Sequence, residues 1–171
     1  MGDTLPIEIE RKYIIRIPDA EIMQKYKGYT KSEILQIYLA SEKRITHRIR
    51  KRLAGGNAVY TETKKIRIDS MSSIEDEREI SEQDFLKLSA RVKEGTVPIR
   101  KVRHTFEYKG HVFEVDIYSE WKKTCILETE LSSRTEIVEF PDFIEIIEEV
   151  TGNRAYSNAA MSKQFPKESE C

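Results

Sequence analysis

Apolar and polar residues alternate along most of this chain, and the spacing becomes helical in only a few places. The alternation opens on Ile7-Glu8-Ile9-Glu10-Arg11-Lys12-Tyr13. Side chains of a β-strand point alternately to its two faces, so Ile7 and Ile9 share one face while Glu8, Glu10 and Lys12 share the other. Strand-like runs follow at 32–39, 45–53, 59–66, 74–80, 99–108, 112–118 and 126–131. Ala54-Gly55-Gly56-Asn57 and Lys109-Gly110 read as hairpin turns. A short helical segment after Pro18-Asp19 carries Ile22, Met23 and Tyr26 and stops at Gly28. Ser81-Glu82-Gln83-Asp84 reads as a capping box before Phe85, Leu88, Ser89 and Val92, with Gly95 as the stop. Pro141-Asp142 predicts another helix, with Phe143, Ile146, Ile147 and Val150 on one face and Gly152 closing it. A last short helix runs from Ala155 to Met161, before a polar tail.

These elements predict one α+β domain over residues 1–171, with about eight strands, a core from about 5 to 163 and no internal repeat or linker. That length suffices for a substantial core. Composition changes the picture in one respect: 35 % of residues are charged, yet Lys+Arg 29 and Asp+Glu 30 nearly cancel, to a net charge of -1. The balance argues against a simple polycation for nucleic acid or membrane, so any phosphate-binding charge must be concentrated locally. No apolar run approaches membrane-spanning length and no basic-then-apolar leader opens the chain, so the expected location is cytoplasmic. Cys125 and Cys171 show no metal spacing and are expected as free thiols.

The charges are sorted by strand. Arg48 and Arg50 share a face, as do Glu62 and Lys64, then Glu75, Glu77 and Glu79, then Lys101 and Arg103, Glu114 and Asp116, and Glu128 and Glu130. The alternate faces hold Ile49, Val102, Phe113, Val115, Ile117, Leu127 and Leu131. An ordinary antiparallel sheet with its charged face in solvent accounts for any one of these strands. Exposed faces normally mix signs, however, because like charges side by side repel. A closed barrel with charged faces inside and apolar faces outward under helices also fits the pattern. A polyphosphate with divalent cations would reconcile its two signs. His47, His104 and His111 lack metal spacing and read as packing or surface residues.

At this point the residues resemble a known family. Glu8-Ile9-Glu10-Arg11-Lys12 resembles the ExExK signature of the CYTH superfamily, the triphosphate tunnel metalloenzymes. Tyr38-Leu39, Arg48-Ile49-Arg50, Thr63-Lys64, Glu75 to Glu79, Lys101 and Arg103, Glu114-Val115-Asp116, Glu128-Thr129-Glu130 and Tyr156 with Asn158 continue the likeness, from Ile7 to about Ser162. The short form is most similar to bacterial members that hydrolyse inorganic tripolyphosphate. The resemblance implies an eight-stranded antiparallel β-barrel, a tunnel with a charged interior and flanking helices, that binds a triphosphate with Mg²⁺ or Mn²⁺. It assigns the metal site to Glu8, Glu10, Glu77, Glu79, Glu114, Asp116, Glu128 and Glu130. Phosphate binding falls to Arg48, Arg50, Lys64, Lys101, Arg103 and Arg154. Lys12 and Tyr38 match a lysine–tyrosine pair that positions or activates water. Two departures stand out: Ser73 occupies a place where the family often has arginine, with Arg78 at an outward parity, and Arg154 matches the family's C-terminal basic residue only loosely.

Beside Glu8 and Glu10 the charged form of Lys12 is favoured, whereas near the basic wall the balance reverses. For Tyr38 a neighbouring cation would favour the phenolate; the other reading is a sheet aromatic with a satisfied hydroxyl. Three functions are compatible with the residues. The first is metal-dependent hydrolysis of inorganic tripolyphosphate. The second is a related activity on an organic triphosphate, as in class IV adenylyl cyclases or thiamine triphosphatases, although no base-recognition motif is visible. The third is a non-catalytic polyphosphate-binding module. Retention of both charged sets, with Lys12 and Tyr38, favours an enzyme. Neither nucleic acid nor membrane is expected as a partner, and a homodimer is compatible with the sequence.

Overall fold

Eight antiparallel strands close on themselves in the computed structural model, which describes residues 7–169. Cys171 and the first two residues of the expected core lie outside that range. The strands are β1 (Ile7–Arg16), β2 (Thr30–Leu39), β3 (Ile45–Ala54), β4 (Asn57–Arg67), β5 (Ser72–Glu79), β6 (Ile99–Tyr108), β7 (His111–Tyr118) and β8 (Thr124–Leu131). Their order is β5-β4-β3-β2-β6-β7-β8-β1, and the pairing of residues 7–9 with 72–74 joins β1 back to β5. Both predicted hairpins have two-residue turns whose residues lie at positive φ: Gly55 and Gly56 at 55° and 81°, and Lys109 and Gly110 at 46° and 85°. That backbone hand matches the twist of the flanking strands.

The barrel is inverted: much of its outer wall is apolar and lies under helices and loops. Ile37, Leu39 and Ile49 pack on the outside against Phe85 of helix α2 (Glu82–Ser89). This helix starts as predicted, with Ser81 Oγ accepting from the Asp84 amide at 3.0 Å. It ends at Ser89, ahead of the expected stop, because Val92 turns away to bridge with Leu39. A second outer cluster joins Tyr13, Ile15, Phe106, Phe113, Val115 and Leu127 to Met23 of α1 (Ala20–Met23) and to Phe140, Phe143 and Ile144. The solvent-facing charged sheet is thereby ruled out.

The helix expected after Pro141 does not form. Its residues make a turn and then a ninth strand, β9 (Ile146–Glu149), which pairs with β1 at Tyr13, Ile14 and Ile15. The reason lies in β1. Its pairing with β5 reaches only Ile9, so the same edge further along still has backbone donors and acceptors to satisfy. Beyond β9, the predicted helix over 155–161 divides into a 3₁₀ turn (Arg154–Tyr156) and α3 (Asn158–Met161). Met161 of α3, with Val150 and Trp121, packs against Ile14, Tyr38, Ile99, Tyr118 and Ile126. The alternation places the last five on the charged side of their strands, so they plug one end of the tunnel.

Candidate active site

Directly paired residues of neighbouring strands share a face, so register decides which charges meet inside. On β1 and β8, Lys12 lies opposite Glu128 and Glu10 opposite Glu130. Glu128 also faces Glu114 on β7, and Asp116 faces Arg103 on β6. On the other side of the barrel Tyr38 faces Arg48 and Gln36 faces Arg50.

The side chains form a connected network. Lys12 Nζ is 2.7 Å from Glu128 Oε1. The second oxygen of Glu128 accepts from Arg103 Nη2 at 3.2 Å. Arg103 also donates to Glu114, and through Nε and Nη2 to both oxygens of Asp116 at 2.6 and 2.7 Å. Lys101, whose side chain is completely buried, donates to Asp116 as well. Across the tunnel Arg48 donates to Glu75 at 3.3 Å, Lys65 Nζ lies 2.5 Å from the other Glu75 oxygen, and Thr63 donates to Glu77 at 2.7 Å. Three buried polar atoms on this inner wall have no partner among the described residues: Ser32 Oγ, Arg48 Nε and Thr61 Oγ1.

The network is electrically incomplete at two places. Burial, then Arg48 and Arg103, lower the Arg50 pKa to about 10. Burial and Arg103 push Lys101 down to about 8, against the pull of Asp116 and Glu128. The acidic side shows the converse. Burial, followed by repulsion from Glu75, Glu130 and Glu10, raises Glu8 to about 7 despite Lys65. Burial and then Glu10 and Glu75 raise Glu130, and burial raises Glu114 in spite of Arg103. Between these regions, burial disfavours charge on Glu128, but Lys12, Arg103 and Lys101 outweigh it and hold the carboxyl well below its usual range. One part of the tunnel therefore lacks an anion and another lacks a cation. Among the described residues no three carboxylate, histidine or cysteine side chains converge as a finished metal shell.

The two residues assigned to water are also in the tunnel. Burial opposes charge on Lys12, but Glu128 and Glu10 more than offset it and raise its pKa, so it stays an ammonium ion. Of the two readings of Tyr38, the phenolate does not hold. Burial raises its pKa more than Arg48, Arg50 and Lys12 lower it, so the phenol stays protonated.

Sequence parity misplaces one basic residue. On β4 the inward residues are Thr61, Thr63 and Lys65, because Thr63 pairs with Arg48 on one side and Glu77 on the other. Lys64 is exposed on the outside, where it lines a small pocket with Glu62, Asp76 and Arg78. Lys65 takes the interior place. Arg154 is exposed on its 3₁₀ turn and makes no ion pair among the described residues. Glu79 keeps the inward parity but ends β5, exposed beside the groove between β5 and α2. Arg78 is outward as expected, donating to Glu62, which also contacts His47 at 2.7 Å. Glu75, Gln36 and Lys65 are interior residues absent from the predicted set; the shared face of Glu75, Glu77 and Glu79 was a visible signal for the first.

No family model and no curated protein matches the chain. Solved structures do. One described as the inorganic triphosphatase NE1496 is 24 % identical, covers 97 % of this chain and 100 % of its own, and superposes with a TM-score of 0.58. Another, of the hypothetical protein NE1496, is 25 % identical over 93 % of this chain and 99 % of its own, with a TM-score of 0.57. PH1819 from Pyrococcus horikoshii OT3 is 20 % identical over 74 % of this chain and 80 % of its own, with a TM-score of 0.55. The likeness runs over nearly the whole of the first two structures and shows that this chain shares their fold.

Proposed function

We propose that the protein hydrolyses inorganic tripolyphosphate with a divalent cation, Mg²⁺ or Mn²⁺. The observation that carries this reading is the split charge of the tunnel. Arg50 and Lys101 have depressed pKa values beside other cations, while Glu8, Glu114 and Glu130 have raised ones. A polyanion accompanied by a divalent cation relieves both imbalances together. The name of the solved neighbour, an inorganic triphosphatase, supports the same substrate class.

Glu8, Glu10 and Glu130 suit the cation: all are hard oxygen donors, and Glu10 lies directly opposite Glu130 with no lysine or arginine between them in register. Waters and phosphate oxygens would complete the shell. The bound cation would neutralise phosphate oxygens and acidify a water. Arg48, Arg50, Lys101 and Arg103 would grip the phosphate chain and stabilise charge as the terminal phosphoryl group transfers. Asp116 and Glu128, through their contacts with Lys101, Arg103 and Lys12, would hold those cations in place. The water oxygen would bond to the terminal phosphorus as the bond from that phosphorus to the bridging oxygen breaks; pyrophosphate would depart with that oxygen, and the proton of the water would end on the product phosphates. Lys12, held as an ammonium ion, would assist electrostatically rather than as a base.

The test is to incubate purified protein with tripolyphosphate, ATP or thiamine triphosphate, with Mg²⁺, Mn²⁺ or a chelator, and resolve the products. Orthophosphate plus pyrophosphate from tripolyphosphate, abolished by chelator and lowered about a hundredfold to a thousandfold in Arg50→Ala, is the expected result. Cyclic AMP from ATP, or turnover unaffected by chelator, would overturn it.

A further inference from the structure

Gln36 lies on the tunnel wall beside Tyr38, opposite Ile99 in register, and is completely buried. Its Oε1 accepts from Arg50 Nε at 3.3 Å, and its Nε2 donates to Tyr38 Oη at 2.6 Å. The orientation of this amide follows from the chemistry of its neighbours. A guanidinium has donors only, so the end of Gln36 toward Arg50 must be the oxygen. The other end is then the NH₂ group, which can only donate. The Tyr38 oxygen accepts from it, and the hydroxyl proton must point elsewhere. Among the described residues no other hydrogen bond engages that hydroxyl.

Tyr38 lies across from Arg48 in the β2–β3 register, on the face that lines the tunnel. We propose that Gln36 is a positioning residue that fixes the Tyr38 hydroxyl as a hydrogen-bond donor to a phosphoryl oxygen in the tunnel and ties that setting to Arg50. The identity of the acceptor rests on the triphosphate reading; the direction of the proton does not. An anionic phosphate oxygen is the natural partner of a phenol proton left free beside buried cations. Arg50 and Tyr38 then act as one unit, since displacing either end of the amide disturbs the other.

Gln36→Glu tests this without changing the size of the side chain. Its carboxylate still accepts from Arg50 but must also accept the Tyr38 proton, which turns that proton away from the tunnel. With tripolyphosphate, kcat is expected to fall about tenfold to a hundredfold with a smaller change in KM. In a Tyr38→Phe background the same substitution should cost less than about twofold, because the hydroxyl it acts through has gone. Full additivity of the two substitutions would overturn the proposal. A second measurement needs no substrate: the infrared C–O band of Tyr38, identified by its loss in Tyr38→Phe, separates an accepting phenol from a donating one. The wild-type band is expected to be that of a phenol that accepts, and the Gln36→Glu band that of one that only donates. A wild-type band of a phenol that only donates would sink the proposal even if tripolyphosphate is the substrate. An accepting band that switches in Gln36→Glu would uphold the assigned proton direction even if another triphosphate is the substrate.

Discussion

Lys64 and Lys65 show how much a single residue's direction decides. The two are adjacent and carry the same charge, yet only Lys65 reaches the interior, where it contacts Glu75. Lys65→Ala is therefore expected to lower triphosphate turnover by at least about tenfold, whereas Lys64→Ala stays within about twofold, in parallel steady-state assays. Glu8 makes a prediction about pH. Its folded pKa of about 7 lies above the ordinary 4.5, so between those values the folded chain holds a proton that the unfolded chain has lost. Stability falls as pH rises through that window, and the penalty is complete above 7. Allowing for solvent screening of this partly exposed group, Glu8→Gln should stabilise the metal-free protein at pH 8 by about 1 kcal/mol. Thermal melts at pH 4 and 8 would show the gain at pH 8 only. No sequence pattern could expose that shift, because it comes first from burial in the closed barrel and then from Glu75 and Glu130 on other strands.

At the scale of elements, local chemistry predicts well where an element satisfies its own backbone. The α2 helix begins at Ser81 because that hydroxyl caps the Asp84 amide, and Ser81→Ala should cost about 1 kcal/mol in urea unfolding. The same logic made both hairpins legible, since their turns place small or flexible residues at positive φ. It failed between Pro141 and Val150. Phe143, Ile146, Ile147 and Val150 have helical spacing, but the hydrogen bonds that decide the outcome belong to the edge of β1, more than a hundred residues earlier.

Across the whole molecule, one end of the barrel is filled by apolar side chains. The plug brings Trp121, Tyr118, Phe165 and Met161 together from the β7–β8 connection and the C-terminal segment. Trp121 is nearly buried and its indole donates to the Pro166 carbonyl at 3.1 Å. Trp121→Ala should therefore destabilise the fold by about 3–5 kcal/mol, measured by urea unfolding. The residues after Met161, which read as a polar tail, are held there. Glu168 accepts from the amides of Lys122, Lys123 and Thr124, which keep its carboxyl down at about 2.

The sequence by itself determined the strands, their alternating faces and the segregation of charge between them, because period-two alternation is a local property. It also placed Glu8, Glu10, Lys12, Arg48, Arg50, Lys101 and Arg103 on faces that turn out to be interior. Only the tertiary structure decided that these faces point inward, since a strand's two faces are equivalent until helices cover one of them. Register across β4 then exchanged Lys64 for Lys65, and burial kept Tyr38 protonated where its neighbouring cations had suggested a phenolate. Each of those outcomes depends on residues distant in the chain, whose contacts and screening exist only once the barrel has closed.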